Sequence, residues 1–159
     1  MKSHWEQVIK VFQALSYILK EVDPDGLDLH FTISGDSLKN CKTTSKPVQL
    51  LKSRRHQGNT DINLKLTAFF EDYKATLDKS RGLGGHLKKK KRPLSLYILT
   101  DGVWERECNP EKPIRNMAQK LAELGKDKSQ LGIQFISFGN IPVGRLRLEQ
   151  LDNCLGLEP

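Results

Sequence analysis

Residues 4–20, HWEQVIKVFQALSYILK, set Trp5, Val8, Ile9, Phe12, Leu15 and Leu19 three and four positions apart, with polar residues between them. That period predicts an amphipathic helix. After the turn signal DPDG at 23–26, the pattern changes: Leu27, Leu29, Phe31 and Ile33 alternate with Asp28, His30 and Thr32, the period of a half-buried strand over 27–33. The turn-rich stretch SGDSLKNCKTTSK has room for a short hairpin partner. A short helix starts near Pro47, with Val48, Leu50 and Leu51 inward, and ends in the basic KSRRHQG. From Asp61 to about Lys79, Ile62, Leu66, Phe69, Phe70, Tyr73 and Leu77 mark a longer helix with Thr60 or Asp61 as its N-cap. Leu94 to Leu99 is nearly all apolar and reads as a fully buried parallel strand, covered by helices on both faces. A helix over about 112–124 carries Ile114, Met117, Leu121 and Leu124, with Gly125 fit to cap it. IQFISFG at 133–139 is another strand, and 144–153 another helix.

The order α-β-(β)-α-α-β-α-β-α predicts an α/β fold with a mostly parallel central sheet flanked by helices, since parallel strands need crossover connections. There is no internal repeat, and 159 residues suit one domain, 1–159. No apolar run is long enough to span a bilayer and no signal peptide opens the chain, so no membrane partner is expected. Cys41, Cys108 and Cys154 are odd in number and lie outside CxxC pairs, which fits a reducing compartment, hence an expected cytoplasmic location.

The net charge of +7 changes this picture only locally. The Gly-rich stretch 79–92, KSRGLGGHLKKKKR, holds seven cations and no acid, so it accounts for the whole excess. Lys88, Lys89, Lys90, Lys91 and Arg92 form a candidate phosphate-binding or nuclear-import patch. No aromatic interleaves with them, so nucleic-acid binding by base stacking is not expected. The alternatives left open are a nucleotide- or phosphate-binding protein of Rossmann type, or nucleic-acid contact through 79–92. Against the first, no GxGxxG follows a strand and no GxxxxGK[ST] occurs. No GxSxG elbow supports nucleophilic catalysis, and His30 and His56 read as structural or solvated histidines, so no enzyme activity is expected.

One feature of the apolar strand asks for chemistry. It ends in Thr100-Asp101-Gly102, and ligands of open α/β sheets sit outside the carboxyl ends of strands. The segment HQGNTDI, 56–62, brings a Gly58-Asn59 turn and Thr60 to a helix start. Asp carboxylate and Thr hydroxyl are hard donors suited to Mg²⁺ or Mn²⁺, which want about six ligands. Trp104, just beyond, is a candidate partner contact.

The ordered set GNT before a long helix, LYILTDG on a strand and FISFGN on the next resembles a von Willebrand factor type A domain, most closely the intracellular fungal-type versions. The likeness runs over nearly the whole chain, including DPDGLDLHFT and RLEQLDNCLGL. It implies a Rossmann-like three-layer sandwich with a metal ion-dependent adhesion site. There Thr60 and Asp101 would help hold a divalent ion, with Gly58, Asn59 and Gly102 shaping the loops. A protein partner would complete the metal sphere with an acidic side chain. The family's Asp-x-Ser-x-Ser motif and the central strand before it have no counterpart in the sequence, which starts MKSHWEQV. The resemblance therefore implies a remnant site, with three of the five side-chain ligands missing and the first central strand absent.

Overall fold

A computed structural model describes residues 1–23, 25–54, 61–79, 92–105 and 107–153. Helix α1 (Trp5–Val22) leads into an antiparallel hairpin of β1 (Leu27–His30) and β2 (Ser37–Cys41). Helices α2 (Ser45–Ser53) and α3 (Ile62–Lys79) follow, then β3 (Leu94–Thr100), α4 (Glu111–Glu123), β4 (Leu131–Ser137) and α5 (Pro142–Asn153). The fold is mixed α/β; among the described residues it has one parallel pair, β3–β4, joined by the crossover helix α4, and one antiparallel pair, β1–β2.

Local chemistry explains the element boundaries. The Asp61 carboxylate accepts the Leu64 N–H at 3.1 Å, so Asp61 caps α3. Helix α4 ends in a left-handed Gly125, φ +60°. The Gly125 N–H donates to the Ala122 carbonyl, and the Lys126 N–H to the Leu121 carbonyl, both at 2.9 Å. These two bonds make the six-to-one and five-to-two closure that ends many helices. In the hairpin, Asn40 has φ +54° and the register shifts between Leu27 and Leu29. The Asp28 carboxylate takes the Asn40 N–H at 2.7 Å, replacing a ladder bond that the irregularity removes.

The core lies on one face of the parallel pair. Ile62, Leu66, Phe70, Tyr73 and Leu77 of α3 meet Ile114, Met117 and Leu121 of α4, with Trp104 and Leu151. Leu94, Leu96 and Ile98 of β3 and Leu131, Ile133 and Phe135 of β4 close this cluster from the sheet side. The registered pairs Leu94–Leu131, Leu96–Ile133 and Ile98–Phe135 put these six side chains on one face. A buried polar knot fixes where the two strands start. The Tyr73 hydroxyl donates to the Arg92 carbonyl at 2.9 Å, and the Gln130 amide donates to that carbonyl at 3.0 Å and to the Tyr73 oxygen at 2.6 Å.

Two expectations need correction. The sheet is not mostly parallel among the described residues: β1–β2 and β3–β4 are separate two-stranded ladders. Nor is β3 fully buried, because only Thr100 of its seven residues is, while Leu94 and Leu96 to Leu99 remain partly exposed. A strand with a neighbour on one side only keeps one edge open, however apolar its side chains are.

Helix α1 runs antiparallel to β3 and is tied to both of its ends. The Met1 ammonium pairs with Asp101 beyond the C-terminal end of β3. At the other end Arg92 pairs with Asp25 at 2.8 Å and Asp23 at 3.4 Å, just past the end of α1. No described helix is long and apolar enough to cross a membrane.

Candidate functional site

The end of β3 is built from short-range hydrogen bonds. The Thr100 hydroxyl oxygen accepts the Gly102 N–H at 3.0 Å, and the Thr100 carbonyl accepts the Phe138 N–H at 2.8 Å. The Asp101 carboxylate accepts the Val103 N–H at 3.1 Å through Oδ1, while Oδ2 receives the Met1 ammonium. The Asp101 side chain is only 11% exposed, so its charge sits largely out of water and against a cation.

Two glycines let this loop and the start of α5 touch backbone to backbone. Gly102 has φ +70°, and a β-carbon there would stand 2.5 Å from the Gly144 carbonyl oxygen. A β-carbon on Gly144 would in turn collide with the Asp101 carbonyl. Side chains are excluded on both sides by backbone, which cannot swing away as a flexible side chain would. Around this crossing Val103, Ile141 and Val143 are exposed. Sequence reasoning passed over Gly144; a glycine inside a helical pattern is a signal for such an approach.

Trp104, the expected partner contact, turns into the core. Its ring is 7% exposed and belongs to the core cluster, with the Arg147 guanidinium 5.9 Å from the ring centroid. Arg147 also donates to the Trp104 carbonyl at 2.8 Å, which fixes this segment against α5. Arg92, expected in the basic patch, pairs with Asp23 and Asp25. Lys88, Lys89, Lys90 and Lys91 lie outside the described residues, as do Gly58, Asn59 and Thr60. The structure thus brings Asp101 and Gly102 together and leaves the position of Thr60 outside the description.

Whether the residues present would hold a cation can be judged from their donors. Among the described residues no group of three or more His, Cys, Asp or Glu side chains could hold a metal ion. Asp101 offers one carboxylate, already engaged on both oxygens, against the roughly six ligands of a hard cation. These donors alone do not make a cation site. Two shallow surface grooves lie elsewhere, one along α1 at Lys10, Tyr17 and Ile18, the other between α3 and α4 at Asn63, Thr67 and Asn116. Neither is lined by Asp101.

Among the described residues, three titratable groups are shifted by their surroundings. Burial lowers His30, whose ring meets Phe69 edge-on at 4.8 Å between centroids. Burial raises Tyr73, partly offset by its bond to Gln130. Burial and the neighbouring Asp61 carboxylate, 3.6 Å from its sulfur, raise the Cys108 thiol. A raised thiol resists forming the thiolate, so Cys108 is poorly suited to nucleophilic chemistry. No family model, curated protein or solved structure matches the chain.

Proposed function

We propose that the chain is a non-catalytic protein-interaction domain of the von Willebrand factor type A kind, carrying a remnant of a metal ion-dependent adhesion site. The observation that carries this reading is Asp101: a nearly buried carboxylate at the C-terminal end of a parallel strand, with a cationic group against it. Ligands of open α/β sheets are met at that edge. The three-layer Rossmann-like arrangement is part of the same proposal. It is supported by the crossover β3–α4–β4, by α3 and α4 over one face of the parallel pair, and by α1 lying antiparallel to β3.

In this reading the Met1 ammonium occupies the position of a cation at Asp101. Among the described residues Asp101 supplies a single carboxylate, so divalent binding is weak, and a partner's carboxylate is the ligand class that would complete the sphere. Calorimetric titration of Mg²⁺ and Mn²⁺ into the chain and into Asp101→Ala tests it. Weak saturable binding, on the order of millimolar, should vanish in the variant. Acetylating the Met1 amine should strengthen binding to the parent chain by removing the competing charge. Equal, negligible heats from all three proteins would overturn the cation-dependent part.

A further inference from the structure

Helix α1 is apolar on two sides. Trp5, Val8, Ile9, Phe12, Leu15 and Leu19 make its inward stripe, and all six are buried or half-buried. On its outer side stand Ala14, Tyr17 and Ile18, all exposed, the last two at 61% each. A surface helix ordinarily puts polar residues on that side, and a contiguous apolar patch there marks an interaction surface. The outer side is centred on Ala14 and Tyr17 and points away from the inward stripe. Its exposure therefore does not depend on which strands lie beneath α1.

Four residues along that side, Lys10, Ala14, Tyr17 and Glu21, are four, three and four positions apart, the spacing of a seam along which two helices pack. The order is cation, small, aromatic, anion, which is complementary to its own reverse. In an antiparallel copy Lys10 stands opposite Glu21 and Ala14 opposite Tyr17, so a short side chain leaves the hole that the ring fills. A two-fold axis repeats each pair and brings the Val11–Ile18 flank of one copy against the same flank of the other. The charged ends are available. Among the described residues Lys10 has no ion pair, and the Glu21 carboxylate, 67% exposed, meets only the neighbouring Lys20 at 3.3 Å. Lys20 also holds its ammonium 4.6 Å from the Tyr17 ring centroid, which fixes the ring before a partner arrives.

We propose that the outer side of α1 is an interface between two copies of this chain, whose α1 helices pack antiparallel about a two-fold axis between Ala14 and Tyr17. A second copy is the occupant because one helix face supplies both halves of every contact: the ring and its hole, the ammonium and its carboxylate. The groove along this side, lined by Lys10, Gln13, Ala14, Tyr17 and Ile18 with Thr44 before α2 as its far wall, receives the facing ring. A single helix face buries less than the total of about 1,200 Å² found in lasting complexes, so the dimer is weak and reversible. Asp101 lies outside this face.

Sedimentation equilibrium of the whole chain, at concentrations up to about 1 mM, tests it. The net charge of +7 opposes self-association, so ionic strength is held at about 0.15 M, where charges more than about 8 Å apart are screened. The parent should show a reversible monomer–dimer equilibrium with a Kd on the order of 100 µM. Ile18→Glu should raise that Kd by about tenfold or more. Lys10→Glu and Glu21→Lys should each raise it by about three- to tenfold, since each sets like charges together twice per dimer. The double variant Lys10→Glu/Glu21→Lys should return it to within about threefold of the parent, a rescue that non-specific apolar association would not show. All three positions are exposed, and circular dichroism checks that each variant is folded. A chain that stays monomeric throughout overturns the proposal. Dimers indifferent to Ile18→Glu or to the charge reversals, or reversals that the double variant does not rescue, overturn it as well. Asp101→Ala should dimerise as the parent does, so this inference and the cation-dependent reading fail separately.

Discussion

The neighbourhood of β3–β4 and the β1–β2 hairpin are both two-stranded, yet they are held in different ways. The first rests on ten buried residues drawn from α3, α4, α5 and the loop after β3, none of them from the hairpin. The hairpin has no buried residue; Leu27, Leu29, Leu38 and Cys41 are half-buried, and a carboxylate bond patches an irregular register. The difference teaches that strand number does not set stability here. The 18-residue helix α3 returns an apolar side chain to β3–β4 at every turn, whereas the hairpin's contacts with α1 and α2 leave its own residues half-buried or exposed.

If that contrast is right, the largest loss follows from opening the shared core. Met117→Ala, at a 1% exposed side chain between α3 and α4, should cost about 2–5 kcal/mol in denaturant unfolding. Gly144→Ala should come next, at about 1–3 kcal/mol, because its new methyl meets the Asp101 backbone and one loop must move. Tyr73→Phe keeps the ring and loses the hydroxyl that binds the Arg92 carbonyl, for about 1–2 kcal/mol. Leu38→Ala in the hairpin should cost under about 1 kcal/mol, since its side chain is already partly in water. A Leu38→Ala loss equal to that of Met117→Ala would erase the distinction between the two regions.

The smallest effect is a pH slope at the hairpin. His30 has its pKa lowered below 6.5 by burial, so the unfolded chain takes up a proton first. Its contribution is complete above pH 6.5 and declines as pH falls toward the folded-state value. His30→Gln should remove that slope from the melting temperature. Tyr73 acts in the opposite direction: its raised pKa gives stability that is present below pH 10.0 and lost at higher pH.

The elements themselves were largely legible, for a physical reason. Helical period, capping residues and turn glycines are local, and Asp61, Gly26 and Gly125 each stand where local chemistry places them. What a period cannot report is which neighbour a face or edge meets. The apolar run of β3 announced burial, but burial also needs a second neighbouring strand, so Tyr97 and Leu99 remain half-exposed. Trp104 shows the same limit, because one aromatic beyond a strand end reads alike whether it turns outward or, as here, into the core. At the site, Asp101 and Gly102 could be read from their place after an apolar strand. Their partners Met1 and Gly144 could not, since those contacts join positions far apart in sequence.

The crossing of Gly102 and Gly144 limits how the sheet end can diversify under mutation. Neither position can gain a side chain without displacing the other's backbone, so both are closed to drift as long as the crossing persists. Val103, Ile141 and Val143 flank it and face solvent, so they can change at little cost to the fold. Two fixed positions would thus hold the scaffold while three free ones set the surface around Asp101, the division of labour by which a sheet end acquires a new specificity without being rebuilt.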